Sequence, residues 1–367
     1  ERSYFIASIA ASVFEYDSYV RRLIMGLAGN NLRRVFEIFV EFCTSGHIGE
    51  GEILRMRQSK GEYILPLDVV MTVLLRANRR YYDGDSSVIR NILDLDDKDQ
   101  KPTHFTRLII LSYLRSQFNE AGPSGLKGYV SMGQLQDALS VYGLTASMIY
   151  REVSYLVKSD CIISESLSDR DVSEDDLFKL SPVGFVHLEL LGVAEYWAAL
   201  AEDTNFDSRN TAKRIADRIV VRDLHYTPGV SLQNGIAVYT YLQEMRSAIA
   251  QDSSALLAES RFLELTNLDP GGESLEDKAK MISSGVWFAA SEKFLPGSEV
   301  DGVVVNAEPT IGLFVEIGPG LTGLLHKSRL RGGDVTASGV SVGDTIPVRV
   351  VNVDVDRRRI SLSEVSR

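Results

Sequence analysis

The spacing of apolar residues predicts helices over most of the chain. In the stretch NNLRRVFEIFVEF, apolar residues recur at intervals of three and four, as on one helical face: Leu32, Val35, Phe36, Phe39 and Val40. Asn30 or Asn31 is suited to cap the start of this helix. The stretch LDVVMTVLLRANRRYY repeats the pattern and ends in arginines and tyrosines, as expected where cations face the carboxyl end of a helix. Residues 1–95 are therefore predicted to form a helical bundle.

Residues 96–191 mix helical and strand-like patterns in an informative order. The stretch HFTRLIILSYLRSQF predicts a first helix, and MGQLQDALSVYG and TASMIYREVSYLVKSD predict two more, joined by a short turn at Gly143. The strand-like CIISES follows, then an acidic loop, and then LFKLSPVGFVHLELL, which resembles the wing strand and closing helix of many winged-helix domains. This order predicts a winged helix.

Residues 192–293 return to the helical pattern, which the Pro-Gly-Gly of DPGGES interrupts. In residues 294–367 the period changes to strict alternation, and Gly, Pro and Asp separate five strand candidates: EVDGVVVNA, IGLFVEI, LTGLLH, DTIPVRVVNVDVD and RISLSEV. Five short strands are the content of a small OB barrel. The sequence thus predicts a multi-domain, mainly α fold with a winged helix and a C-terminal five-stranded β barrel of OB type.

Composition limits the partners that the chain can take. With 367 residues it exceeds the size that one hydrophobic core usually serves, which agrees with several domains. The shares of hydrophobic and charged residues, 44% and 24%, are those of an ordinary globular protein. A net charge of -11 argues against coating of nucleic acid without specificity, because phosphates are neutralised by clustered Lys and Arg. Any nucleic-acid site must be local.

The cysteines and histidines point away from disulfide and metal chemistry. Cys43 and Cys161 lie far apart in apolar surroundings, which predicts reduced thiols. The five histidines show no metal-ligand spacing, so we expect no metal site. The apolar stretch YFIASIAASVF is too short to span a bilayer and lacks a basic lead-in. We expect a cytoplasmic protein without a membrane partner.

The last segment resembles a known family. The elements GSEVDGVVV, GLFVEIGPGLTGLLHKSRL, VGDTIPVRVVNVDVD and RRRISLS occur in the order and spacing of the RNA-binding OB domain first described as the repeat of ribosomal protein S1. The resemblance covers residues 297–363. It implies binding of single-stranded nucleic acid, RNA before DNA, by bases stacked on aromatic side chains and phosphates guided by nearby cations.

The resemblance also implies which residues form the site. Phe314 takes an aromatic stacking position, and His326 takes the position of a second ring or hydrogen-bonding group. The polar and charged positions near them are Lys327, Arg329, and Asp354 with Arg358 or Arg359. Where family members often carry another aromatic residue, this chain has Ile311, so one stacking ring is missing.

Residues 294–367 leave other roles open. They hold eight Lys and Arg against nine Asp and Glu, a net charge of -1. Phe314 alternates with Leu313 and also fits a core position, His326 fits a strand cap, and Arg357 to Arg359 fit a solvated turn. Their coincidence in one family pattern favours the binding role. A structural or protein-contacting barrel is the alternative to nucleic-acid binding.

The winged helix contains residues that favour DNA binding and residues that oppose it. Its recognition helix offers polar side chains at roughly helical spacing that suit groove contact: Thr145, Ser147, Arg151, Tyr155 and Lys158. The wing loop carries carboxylates that would repel phosphates, with Arg170 among them: Asp169, Asp171, Glu174, Asp175 and Asp176. Both DNA reading and a protein-facing role therefore stay open.

A third resemblance concerns the first helices. The stretch AGNNLRRVFEIF is similar to the Gly-Asp-x-Arg-Arg-hydrophobic opening of the lid helix in AAA+ and related P-loop ATPases, some of which place a winged helix after the lid. That likeness implies a lid-like bundle in which Arg33, with Arg34 beside it, senses the nucleotide's γ-phosphate. The chain contains no G-x-x-x-x-G-K-[ST] loop, and GPSGLKG lacks its spacing. Either an ATPase core that binds ATP with Mg precedes Glu1, or the likeness is only a helical pattern.

These patterns lead to one functional hypothesis and two alternatives. The hypothesis is single-stranded RNA binding by the barrel, as the accessory region of a larger P-loop NTPase of the kind found in bacteria. The alternatives are a non-enzymatic adaptor between proteins and a DNA-binding regulator that acts through the winged helix. We identify no catalytic site in the sequence, and whether the parent protein is an enzyme stays open.

Overall fold

A computed structural model describes most of the chain. The described residues are 2–16, 18–48, 65–95, 103–166, 172–206, 209–224, 228–252, 256–309, 311–318, 321–330, 335, 339–354 and 359–365. The chain divides into two compact units, the larger unit Glu1–Glu276 and the smaller unit Asp277–Arg367.

The larger unit begins with helices. These are α1 (Arg2–Ala10), a π-helical turn (Ala11–Tyr16), α2 (Ser18–Leu27), α3 (Leu32–Thr44) and α4 (Leu67–Arg76). Asn31 is the residue that caps α3, since its side chain accepts a hydrogen bond from the backbone N–H of Arg33 at 2.9 Å.

The apolar stripe of α3 is wider than the face that the core covers. Val35 and Phe42 are buried, but Leu32, Phe36 and Val40 are 68%, 65% and 56% exposed. The apolar positions of this helix therefore do not share one buried face. The buried residues of α3 are Val35, Ile38 and Phe42. The exposed residues Leu32, Phe36 and Val40 are four positions apart and lie along another side of the helix.

The middle of the larger unit is a winged helix. Its elements are α5 (Thr106–Gln117), β1 (Val130–Ser131), α6 (Met132–Leu139), α7 (Ala146–Lys158), β2 (Ile162–Ser164), β3 (Leu177–Leu180) and α8 (Pro182–Leu190). The antiparallel sheet has the order β1–β3–β2. The sequence pattern missed β1, because two residues are too short to show an alternation. Ser131 ends β1 and starts α6 with a capping box that it shares with Gln134.

Helices follow the winged helix. They are α9 (Ala194–Asp203), α10 (Arg209–Leu224), α11 (Pro228–Asp252), α12 (Leu256–Leu265) and α13 (Asp269–Lys293). The Pro-Gly-Gly of DPGGES does not end a helix; it forms the first turn of α13. A Cβ on Gly271 would lie 2.4 Å from Nε1 of the buried Trp197, and one on Gly272 would lie 2.5 Å from the hydroxyl of Tyr239. These glycines let α13 approach the aromatic core.

The smaller unit contains a closed barrel. Its strands are β4 (Glu299–Glu308), β5 (Gly312–Gly318), β6 (Leu321–His326), β7 (Thr345–Asp354) and β8 (Arg359–Glu364). The strand order is β4–β5–β6–β8–β7, β7 also pairs with β4, and only the β6–β8 pair among these is parallel. All five predicted strands are present. The predicted mainly α fold with a C-terminal five-stranded barrel is confirmed.

Apolar side chains from every strand fill the barrel. Val304, Leu313, Leu325, Val350 and Leu362 are each at most 1% exposed. Each alternates with an outward-facing neighbour, as the pleat of a strand requires. The outer surface is therefore free to carry a binding site.

Among the described helices, none is both long and apolar enough to cross a bilayer by itself, and α8 with α9 reaches that length and apolarity only jointly, across a bend of 94°. Within the described ranges, no three His, Cys, Asp or Glu side chains come together in a way that could hold a metal ion.

Candidate nucleic-acid interface

Phe314 lies on the outside of the barrel. Its neighbours in β5, Leu313 and Val315, are fully buried, so the strand pleat turns Phe314 outward, where it is half-buried. In the antiparallel register Phe314 lies directly opposite Asn306 of β4 and Leu324 of β6. Its ring thus occupies the middle of a three-strand surface and is not a core residue.

Gly312 allows β5 and β6 to meet beside this ring. Its φ is +149°, and a Cβ there would lie 2.2 Å from the carbonyl oxygen of Leu325. Only glycine fits that approach. The pairing sets Gly312 opposite His326, and the backbone N–H of Lys327 donates to the carbonyl oxygen of Ile311 at 3.0 Å. Ile311 is 42% exposed next to these residues.

His326 ends β6 and is exposed. Its Nδ1 accepts a hydrogen bond from the backbone N–H of Ser328 at 3.2 Å and lies 2.8 Å from the Ser328 hydroxyl oxygen. An Nδ1 that accepts from a backbone N–H carries no proton, so the neutral ring presents Nε2–H as a donor. His326 thus caps the turn that follows and keeps a ring N–H that can donate a hydrogen bond.

Cations lie in that turn and at the start of β8. Lys327 to Arg329 form one 3₁₀ turn, in which Lys327 is half-buried and Arg329 is exposed. Arg329 Nη1 donates to the carbonyl oxygen of Leu362 at 3.4 Å. Arg359 is exposed, and its backbone lies opposite Asp354 in the antiparallel pair of β7 and β8. Arg358 lies outside the described residues. Because β5, β6 and β8 are consecutive in the barrel, these cations flank the strands that carry Phe314 and His326.

The recognition helix of the winged helix has an exposed beginning and end. Thr145 caps α7, since its hydroxyl accepts from the backbone N–H of Met148 at 3.3 Å, and it lies 3.0 Å from the Ser147 hydroxyl. Thr145, Ser147 and Lys158 are exposed. The hydroxyls stand at the amino end of the helix and Lys158 at its carboxyl end.

Two side chains in the middle of α7 form hydrogen bonds within the larger unit. Arg151 Nε donates to the buried carboxylate of Glu152 at 3.0 Å. The Tyr155 hydroxyl donates to Asp85 at 3.1 Å, and the Arg107 guanidinium lies 3.9 Å from the centre of the Tyr155 ring. Burial raises the pKa of Tyr155 well above its ordinary value, so the phenol stays protonated and remains a donor. Arg151 and Tyr155 thus already have partners in the same unit.

The described part of the wing loop is acidic. Glu174 and Asp175 are exposed, whereas Asp176 is buried and accepts from the backbone N–H of Ser173 at 2.8 Å. Asp169, Arg170 and Asp171 lie outside the described residues.

Arg33 and Arg34 stand at the start of α3. The Arg33 side chain is 87% exposed and forms an ion pair with Glu37 at 3.1 Å. Arg34 forms an ion pair with Asp160, just beyond the end of α7. The structure thus keeps Arg33 accessible and ties Arg34 to the winged helix.

One neighbour of the ring was missed by sequence reasoning. Asn306 lies opposite Phe314 only because β4 contains a bulge between Val304 and Asn306. Spacing along the chain does not reveal the strand register, and the residue type gives no signal by itself.

Comparisons with known proteins agree with the geometry of the barrel. The S1 RNA binding domain family matches residues 293–364. The small ribosomal subunit protein bS1 of Mycobacterium tuberculosis is 34% identical over 103 residues, which are 28% of this chain and 21% of that protein. The bS1 homolog of Bacillus subtilis is 27% identical over 133 residues, which are 35% of either chain.

A solved structure is also similar to part of this chain. An uncharacterized protein of Methanocaldococcus jannaschii is 27% identical, with a TM-score of 0.18, and the match covers 19% of this chain and 90% of that one. The chain spans about a fifth to a third of the length of the ribosomal proteins named above. The motif order, the closed five-stranded barrel and the family match concern the same residues, and residues 293–364 therefore form an S1 RNA-binding domain with an OB fold.

Proposed function

We propose that the barrel binds single-stranded RNA and that Phe314 is its stacking platform. The observation that carries this proposal is the outward position of the Phe314 ring, in the middle of β4, β5 and β6. Stacking of a base on an aromatic ring contributes about 1 to 3 kcal/mol and needs no particular sequence. A single strand has unpaired bases to offer such a ring, whereas a duplex does not.

The residues around the ring supply the remaining contacts. His326 donates from Nε2 to a base edge or a phosphate oxygen. Lys327, Arg329 and Arg359 neutralise phosphates along the strands next to Phe314. Arg359, at the start of β8 and opposite Asp354 in register, supplies the polar edge of the proposed site. We place this activity in the cytoplasm, in line with the ribosomal relatives.

Fluorescence anisotropy with labelled single-stranded RNA, single-stranded DNA and duplex tests this proposal on the full chain. Phe314→Ala is expected to weaken RNA binding roughly 5- to 150-fold, the loss of one stacked base. His326→Ala is expected to weaken it roughly 2- to 10-fold, the loss of one hydrogen bond.

Tyr81→Ala is the matched control, because Tyr81 is an exposed aromatic residue of the larger unit. It should leave the affinity unchanged. Unchanged affinity in both barrel variants, with circular dichroism that shows a folded protein, would remove Phe314 and His326 from the site.

We assign the winged helix a protein-facing role, in agreement with the adaptor alternative. This is supported by the partners that Arg151 and Tyr155 already have and by the exposed carboxylates Glu174 and Asp175 in the wing. A helix that recognises DNA sequence would need such side chains to be available for hydrogen bonds to base edges. Duplex binding that survives Phe314→Ala and is lost in Lys158→Ala would instead support the DNA-binding regulator.

We extend the proposal to a larger P-loop NTPase, for which this chain serves as the accessory region. The support is the accessible Arg33 at the start of α3, followed by a winged helix in the order that the lid resemblance implies. ATP with Mg would bind to a preceding domain of the parent protein. The coding sequence upstream of Glu1 tests this: a G-x-x-x-x-G-K-[ST] loop is expected there, and a parent protein without one contradicts it.

A further inference from the structure

Ser328 directs two hydrogen-bond donors at one nitrogen of the His326 ring. Its backbone N–H donates to Nδ1 at 3.2 Å, and its hydroxyl oxygen lies 2.8 Å from the same atom. Because the backbone N–H can only donate, Nδ1 is an acceptor, and the hydroxyl, whose hydrogen rotates to suit its partner, donates to it as well. These contacts fix two properties of the ring: Nδ1 faces the turn, and the proton of the neutral imidazole is on Nε2.

The turn that carries Ser328 is anchored on both sides of this residue. The backbone N–H of Lys327 donates to the carbonyl oxygen of Ile311 at 3.0 Å, and that of Leu330 donates to the carbonyl oxygen of Lys327 at 3.1 Å. The Leu330 side chain is buried in the core of the barrel. Ser328 therefore presents its two donors from a backbone that is held in place by its neighbours.

His326 gains from such a support because its side chain is exposed. Exposed side chains change rotamer within picoseconds to nanoseconds. The proton of a free imidazole also moves between the two ring nitrogens, unless a hydrogen bond to one of them decides its place. A ligand that accepts from Nε2 removes both freedoms, so a ring that is held beforehand loses less entropy on binding.

We propose that Ser328 is a positioning residue for RNA binding, which holds the His326 ring so that Nε2–H is available to an acceptor oxygen of the strand. In this role Ser328 acts through the ring and does not contact the RNA itself. The inference rests on the proposed function, because it requires a hydrogen bond from His326 to RNA.

A double-mutant cycle tests the inference, with anisotropy of the full chain and labelled single-stranded RNA. Ser328→Ala is expected to weaken binding roughly 2- to 10-fold, and by no more than His326→Ala, because the ring is no longer held. Ser328→Thr, which keeps the hydroxyl, is expected to restore the affinity. In the His326→Ala background, Ser328→Ala should have no further effect, because no ring remains to be held.

Nitrogen-15 NMR of the histidine rings gives a second readout. At mildly alkaline pH the wild-type His326 ring should show Nδ1 without a proton and Nε2 with one, as the two donors of Ser328 require. A protonated Nδ1 in the wild-type protein would overturn the inference.

Ser298→Ala is the matched control. The hydroxyl of Ser298 also forms a local hydrogen bond in the smaller unit, to the carbonyl oxygen of Leu295 at 2.7 Å, and its own carbonyl oxygen accepts from the backbone N–H of Val350 in β7. This variant should keep the wild-type affinity. Circular dichroism checks that every variant is folded.

The other results of the cycle separate the two proposals. Equal weakening by Ser328→Ala with and without the His326 ring would mean that the serine acts independently of the histidine, and no weakening in either background would mean that it does not act. Both results overturn the role of Ser328, and weaker binding in Phe314→Ala would then leave the proposed function standing. Unchanged binding in both Phe314→Ala and His326→Ala overturns the proposed site together with this inference.

Discussion

At the scale of single residues, Ile311 occupies the position at which the S1 resemblance implies a second stacking ring. Its side chain is 42% exposed, and it lies next to Gly312, the partner of His326. An aliphatic side chain at this point covers part of a base by apolar contact but lacks the π system that stacks on it. In the proposed site, Phe314 therefore supplies aromatic stacking and Ile311 supplies only apolar contact.

Ile311→Phe is expected to strengthen single-stranded RNA binding by about 1 to 3 kcal/mol, because it restores a second stacked base. Anisotropy titration of the full chain measures this gain. Val342→Phe is the control for added hydrophobic surface, since Val342 is 61% exposed in the turn before β7. An equal gain in both variants would show that the effect is not stacking at the site.

At the scale of elements, a buried ion pair joins helices of the larger unit. The Glu202 side chain of α9 is 1% exposed and accepts from Arg76 of α4, at 3.2 Å from Nε and 2.8 Å from Nη2. It also accepts from the backbone N–H of Tyr82 at 2.7 Å. Bidentate geometry and a third donor satisfy the carboxylate, which offsets much of the cost of removing it from water. Arg76, the last residue of α4, thus has a structural role.

Glu202→Gln should destabilise the larger unit by about 3 kcal/mol or more, because it leaves the Arg76 guanidinium buried without a counter-charge. Hydrogen exchange read by mass spectrometry should show faster exchange in peptides from α4 and α9, with peptides from β4 to β8 unaffected.

Glu37→Gln serves as the comparison for that experiment. It removes the carboxylate of the exposed Arg33–Glu37 pair, in which the side chains are 87% and 59% exposed. Exposed pairs contribute about 0 to 1 kcal/mol. If Glu37→Gln accelerated hydrogen exchange as much as Glu202→Gln, burial would not be what determines how strongly these ion pairs stabilise the fold.

At the scale of the whole molecule, charge limits how the protein holds a nucleic acid. The chain carries a net charge of -11, and residues 294–367 carry -1. The described cations of the proposed site are Lys327 and Arg329, in the turn after β6, and Arg359, at the start of β8. Attraction to phosphates is therefore confined to a few positions, and stacking has to supply a large share of the affinity.

The affinity for single-stranded RNA should depend only weakly on salt. Three neutralised phosphates correspond to a slope of about -2 in a plot of log affinity against log salt concentration. Anisotropy titrations at several salt concentrations measure this slope. A slope steeper than about -6 would exceed what the eight Lys and Arg of residues 294–367 can supply, and it would contradict the confinement of binding to that domain.

The order of amino acids alone sets much of the barrel. Alternation within each short strand and the glycine and proline turns between them are local properties, so all five strands and the family resemblance follow from them. The same holds for the helices of the winged helix, whose periodicity and caps lie within a few residues of each other.

Tertiary structure alone decides which side chains meet. The bulge that places Asn306 opposite Phe314 depends on strand pairing, and the engagement of Tyr155 by Asp85 and Arg107 joins residues far apart in sequence. The exposure of Phe36 likewise depends on which neighbours cover α3. Register, burial and partners arise from contacts between distant segments, and periodicity in one segment contains no information about the segment that packs against it.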